Sequence, residues 1–177
     1  VYAPAAPALE PGLTGDEYLK FYAQYHGLFN PQKARDLSEQ MDVSLTGLCQ
    51  KMTIEQRKKL SLLAALSMDA EVFLLDEPMN GLSVMAKNAL MDALVAIRGR
   101  GGAILMTSHV LEEVRRTCSH VAIIRQGRLV VTQPVESLSH TRQKVYHITF
   151  TSPQEAADFA SEWESGVELI GTRALVA

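Results

Sequence analysis

Two carboxylates, Asp76 and Glu77, stand side by side directly after the apolar run Val72-Phe73-Leu74-Leu75 and before Pro78. A short continuous apolar run of this kind is the pattern of a strand buried on both faces. In open α/β sheets, ligands bind outside the carboxyl ends of such strands. Adjacent acids point different ways, so they can divide labour. Asp76 can hold a hydrated Mg2+, while Glu77 orients or deprotonates an attacking water. The same tetrapeptide also fits a strand that simply ends and caps the next turn. A second apolar strand, Ile104-Leu105-Met106-Thr107, brings Ser108 and His109 to the same edge. A ring nitrogen there can donate to a terminal phosphate oxygen and hold a water in line. Alone, His109 reads equally as a polar residue of a strand-to-helix turn; its place one strand after Asp76-Glu77 favours the chemical reading. His26, His120, His140 and His147 have no such setting.

The elements that must position these residues can be read in order. Residues 3–13, with Pro4, Pro7 and Pro11, form an extended loop. Thr14 and Glu17 make a capping box that starts a helix over 15–26, stopped by Gly27. Asn30-Pro31 opens a second helix to about 41, and the Thr53/Gln56 capping box opens a third to about 67. A helix over 84–98 leads through Gly99-Arg100-Gly101-Gly102 to the strand at 103–107, followed by a helix over 111–118. Strands at 120–125 and 128–132 pair as a hairpin through Gln126-Gly127. The alternation of strand and helix predicts a mostly parallel, three-layer α/β core. After Ser139 the pattern restarts. A strand at 144–151, a helix capped by Ser152-Pro153-Gln154-Glu155 and two short strands make a small α+β (βαββ) appendage, with a boundary at 140–144.

Composition removes several function classes. With 177 residues the chain can bury a sizeable core, and 47% apolar with 21% charged residues is ordinary for a globular protein. Aromatics are only 6%, so aliphatic side chains carry the core, as suits helices on a parallel sheet. A net charge of −3 gives no electrostatic footprint for nucleic acid. Lys51, Arg57, Lys58 and Lys59 cluster, but without interleaved aromatics they read as a solvated helix face. Leu60 to Leu66 is core packing. Cys49 and Cys118 lack metal-ligand spacing and read as reduced thiols of a cytosolic protein. No apolar run reaches the ~18–20 residues that span a bilayer. Any service to a membrane would run from the cytoplasmic side through a partner. The missing initiator Met and the strand-like ends, Val1-Tyr2 and Arg173-Ala174-Leu175-Val176-Ala177, suggest a piece of a longer chain.

These motifs, in this order, resemble the ATP-binding subunit of an ABC transporter, over roughly residues 1–138. Residues 72–77 resemble its Walker B strand, Asn80-Gly81-Leu82-Ser83 its D-loop and His109 its switch histidine. Leu111-Glu112-Glu113-Val114, Cys118-Ser119-His120-Val121 and Gln126-Gly127-Arg128-Leu129 resemble the family's segments downstream of that histidine. The stretch Leu13-Thr14-Gly15-Asp16-Glu17-Tyr18-Leu19 and the appendage look like the branch serving ABC-2 type exporters. The resemblance implies four segments. They are the end of a core strand with the glutamine-loop region (1–13), a helical subdomain with a degenerate signature helix (14–68), the Walker B, D-loop and switch part of the ATPase core (69–140), and an incomplete appendage (141–177).

It also implies ATP and Mg2+ as cofactors, with Asp76 holding Mg2+ through water, Glu77 as base and His109 sensing the γ-phosphate. Asn80, Gly81, Ser83, Thr53 and Gln56 would line the nucleotide. Partners would be a second ATPase subunit, in a homo- or heterodimer, and a transmembrane permease docked by residues 14–48. The subunit would lie on the cytoplasmic face of the membrane through that permease.

Departures from the family pattern qualify this. Counting back from Asp76, the signature falls on Met52-Thr53-Ile54-Glu55-Gln56, where the family uses Ser and two glycines so that bare N–H groups reach a γ-phosphate. Ile54 adds bulk and Glu55 a negative charge. Ala5 stands where Gln or Glu is usual in the glutamine loop, and Ser83 where the D-loop has Asp. No Gly is followed by Lys, so these residues contain no G-x-x-x-x-G-K-[ST] phosphate loop. Three lost charge-assisted bonds of ~1.5–3 kcal/mol each would cost very roughly 5 kcal/mol, some 10³-fold in affinity. Negligible ATP binding by this chain alone is therefore expected. Two rivals remain: a non-catalytic ABC-like regulatory or interaction module, and a soluble ABC-like ATPase of DNA repair or translation. The second would need coiled-coil insertions or a tandem cassette, and the sequence contains neither.

Overall fold

The computed structural model describes residues 1–27, 29–139, 146–162 and 167–176. The chain divides into two compact units, Val1–Cys118 and Ser119–Ala177. The expected boundary at 140–144 and His140 lie outside the described residues.

In the first unit, a three-stranded parallel sheet runs in the order β1 (Tyr2–Ala3), β2 (Val72–Leu75), β3 (Ala103–Met106). Leu74 is the register partner of Tyr2 on one side and of Leu105 on the other. All three strands therefore end together, delivering Pro4-Ala5, Asp76-Glu77 and Thr107-Ser108-His109 to one edge.

Three helices are capped as their sequences dictate. α1 (Gly15–His26) and α3 (Ile54–Leu66) each begin with a complete capping box, Thr14/Glu17 and Thr53/Gln56. α2 (Pro31–Gln40) has Asn30 as N-cap with Pro at the first position, and α4 (Val84–Gly99) follows Ser83. α5 (Leu111–Thr117) closes the unit. α3 is the hub: from Leu60 to Leu66 every residue is buried, as a helix apolar all round must be. It packs on α1, α2 and β1, and α4 packs on β3.

The sheet itself differs from expectation. The apolar run predicts β2 buried on both faces, yet Phe73 and Leu75 are buried while Val72 and Leu74 are half exposed. Tyr2 and Leu105 lie open on the same face. Parallel strands are normally covered on both sides. Among the described residues the helices cover only one, so the third layer of a three-layer core is not seen here. Gly102 explains the tight return from α4 to β3. A Cβ there would stand 2.6 Å from Ile97 Cγ2.

In the second unit, β4 (His120–Arg125) and β5 (Arg128–Pro134) form an antiparallel hairpin. Gln126 and Gly127 both have positive φ (51° and 72°), the geometry of a two-residue turn that follows strand twist. β5 runs two residues beyond the expected end at 132. The remainder is β6 (Tyr146–Thr149), α6 (Pro153–Ser161), β7 (Val167–Ile170) and β8 (Arg173–Val176), with sheet order β6-β8-β7. The β–α–β–β succession is the one expected. Ser152 caps α6 and buried Ala156 lies on its inner face.

Candidate functional site

The carboxyl edge of the parallel sheet gathers Asp76, Glu77 and His109. His109 Nδ1 lies 3.0 and 3.1 Å from the two carboxylate oxygens of Glu77. Glu77 adopts a left-handed backbone (φ 43°), unusual for a residue with a side chain. One hydroxyl holds that conformation. Thr107 Oγ1 accepts the Glu77 N–H at 2.7 Å and donates its own proton to Asp76 Oδ1 at 2.6 Å. Thr107 thus couples the two acids across neighbouring strands. It engages one oxygen of Asp76, while the carboxylate of Glu77 meets His109.

His109 is set by its neighbours. Ser108 Oγ donates to Glu113 Oε2 at 2.9 Å and accepts from Val110 N at 3.1 Å. Glu113 in turn pairs with Lys87 of α4 at 2.9 Å. This chain pins the backbone on both sides of His109, leaving its ring 69% exposed.

The sequence places Lys58 on a solvated face, yet it is 4% exposed. Its ammonium donates to the carbonyls of Ala5 (2.8 Å), Pro4 (3.1 Å) and Asp76 (3.3 Å), clamping the ends of β1 and β2. Burial lowers its pKa, and the charges of Asp76 and Glu77 oppose that shift. Lys59 is buried as well and pairs with Glu55 at 3.2 Å. The solvated-face reading therefore fails for both. Their stems lie against the helical core, and their heads meet carbonyl and carboxylate oxygens.

The turn after Glu77 is anchored by buried Pro78, Met79 and Leu82. Asn80 and Gly81 ride exposed on it, Gly81 with the positive φ (76°) the turn requires. Ser83 ends it as N-cap of α4. Thr53 and Gln56 are spent on each other: Thr53 Oγ1 accepts from Gln56 N (3.2 Å), and Gln56 Oε1 from Thr53 N (2.9 Å). Neither is hydrogen-bonded to Asp76, Glu77 or His109. The geometry thus brings together three of the expected site residues, Asp76, Glu77 and His109. It keeps Asn80, Gly81 and Ser83 on the adjoining turn and holds Thr53 and Gln56 in the start of α3.

Two residues escaped sequence reasoning. Thr107 signalled itself only as a hydroxyl at the end of the strand beside Asp76. Lys58, between Arg57 and Lys59, gave no signal of its burial.

No family model matches the chain. The uncharacterized ABC transporter ATP-binding protein YhcH of Bacillus subtilis is 29% identical over 95% of this chain and 61% of its own length. The chain is homologous to the ATP-binding proteins of ABC transporters. Nod factor export ATP-binding protein I of Burkholderia pseudomallei is 30% identical over 69% of this chain and 42% of its own length. The chain therefore spans about half the length of these ABC relatives. The solved structure of an ATP-binding subunit of an ABC transporter superposes with a TM-score of 0.71 at 23% identity, over 78% of this chain and 60% of that one. A dimeric ATP-binding cassette in a post-hydrolysis state with ADP and Pi superposes at 0.63 and 15% identity, over 76% of this chain and 62% of that one. Both likenesses establish the ABC ATPase fold.

Proposed function

We propose that this chain carries the hydrolytic half of the nucleotide site of an ABC transporter ATPase. The observation that carries the reading is the Asp76–Thr107–Glu77–His109 arrangement at the carboxyl edge of a parallel sheet in a homologue of ABC ATP-binding proteins. Glu77 accepts the proton of the attacking water, and His109, paired with it, holds the carboxylate in position. Asp76 has one oxygen taken by Thr107 and one open. No group of three or more His, Cys, Asp or Glu side chains suited to a metal exists among the described residues. One or two carboxylates with water and phosphate completing the shell is the habit of Mg2+, so these residues fit it. When bound, the metal supplies charge neutralisation on the phosphates.

The partners are a second ATPase subunit and a permease. The exporter names among the relatives favour an ABC-2 type exporter. No helix among the described residues is long and apolar enough to cross a membrane, and the permease would hold the subunit at the cytoplasmic face. The altered signature beside an intact Asp76-Glu77 pair favours a heterodimer, in which this subunit gives one site its Walker B residues and the other a weak signature. The test is the turnover of Glu77→Gln against wild type in the complete protein with its partners. An unchanged rate removes Glu77 as the base. The reading of a non-catalytic interaction module would then lead, as the departures at 5, 54, 55 and 83 would favour it.

A further inference from the structure

Two of the departures from the ABC pattern touch each other. Glu55 replaces a signature glycine at the start of α3, and Ser83 replaces the D-loop aspartate at the start of α4. Glu55 Oε1 accepts the Ser83 N–H at 2.9 Å and also meets Lys59 Nζ at 3.2 Å. Ser83 makes no side-chain capping bond of its own to α4. Glu55 thus takes the Ser83 N–H and sets a carboxylate at the start of α3, where Thr53 and Gln56 already take each other's N–H. Glu55 is held as a carboxylate: the Ser83 N–H first, then the Ser83 hydroxyl and Lys59, pull its pKa below the usual 4.5. An aspartate at 83 would set a second negative charge against the first. The residues flanking the contact, Ile54, Val84 and Met85, are among the most exposed apolar side chains of the chain, at 86%, 76% and 72%.

We propose that Glu55 and Ser83 are a matched pair, in which the carboxylate takes the place of a phosphate between the starts of α3 and α4. The pair locks the two helices together and closes this face to polyphosphate. The closure to polyphosphate rests on the ATPase reading above; the pairing rests on the geometry alone.

The experiment uses the 177-residue chain, with inorganic tripolyphosphate as the probe. Amide resonances of Ile54, Glu55, Gln56 and Ser83 should stay fixed at millimolar tripolyphosphate in the wild type and move in Glu55→Gly. Melting temperatures of Ser83→Asp in two backgrounds test the pairing. With Glu55 present, the second carboxylate should lower the melting temperature by about 2–4 °C. With Glu55→Gln it should raise it, because Asp is a good N-cap for α4. The same change of melting temperature in both backgrounds would overturn the pairing. A sign reversal without any response of Glu55→Gly to tripolyphosphate would overturn the closure and leave the pairing standing. Wild-type amides that move as far as those of Glu55→Gly would also overturn the closure. None of these results depends on whether Glu77 is a base, which the turnover of Glu77→Gln decides separately.

Discussion

Replacing Lys58 with Met isolates the clamp at the sheet edge. The substitution keeps an unbranched stem of similar length in the same buried channel and removes only the ammonium. Carbonyls of Pro4, Ala5 and Asp76 lose their shared donor. Charge-assisted hydrogen bonds contribute about 1.5–3 kcal/mol each, but three offsets reduce the sum. The contact with Asp76 is long at 3.3 Å, Ala5 lies where water can replace the donor, and the desolvation that lowers the pKa of Lys58 is relieved. A net loss of about 2 kcal/mol remains. Urea unfolding followed by far-ultraviolet circular dichroism reads it well, because five of the six described α-helices, α1 to α5, belong to the unit Val1–Cys118. The midpoint should fall with an unchanged slope. An unmoved or raised midpoint would refute the reasoning. It would mean that the burial cost of the ammonium matches or exceeds what the three carbonyls return.

Thr107→Val in the complete protein should lower ATP turnover about tenfold, the worth of one charge-assisted bond, and Thr107→Ser should restore it. Equal rates for Val and Ser variants would deny Thr107 its positioning role. Glu55, whose folded pKa is depressed, contributes stability that is full above about pH 4.5 and lost as pH falls through the folded value. Melting curves of wild type and Glu55→Gln should therefore converge as pH falls below about 4.5, and a constant gap would contradict the bond to Ser83. Calorimetry of MgATP with the 177-residue chain should give no measurable heat of binding; a micromolar dissociation constant would show that the phosphate contacts of a G-x-x-x-x-G-K-[ST] loop are dispensable.

Local chemistry made much of this legible. Capping boxes at Thr14/Glu17 and Thr53/Gln56, the Pro31 start and the Gln126-Gly127 turn are rules of a few neighbouring residues, and each element begins where its signal stands. The parallel register that unites Asp76, Glu77 and His109 was legible in two apolar runs ending in polar residues. What the sequence hid is long-range. Lys58 reaches carbonyls 53 and 54 residues away, and a lysine between Arg57 and Lys59 carries no mark of burial. Glu55 reads from sequence only as a negative charge set against a phosphate, because its partner, the N–H of Ser83, is a backbone group that any residue there would offer. The open face of β2 was equally hidden, since Val72-Phe73-Leu74-Leu75 reads the same whether one side or both are covered.

The most direct test of the central claim is a single-turnover measurement on the complete protein. Labelled MgATP would be bound to wild type and to Glu77→Gln, and phosphate release followed. The account predicts that the variant retains ATP with near wild-type affinity but releases phosphate at least about 10²-fold more slowly, the usual scale of a general-base contribution. Release at the wild-type rate from fully bound ATP would contradict it, and the edge formed by Asp76, Glu77 and His109 would then be a structural feature of the fold.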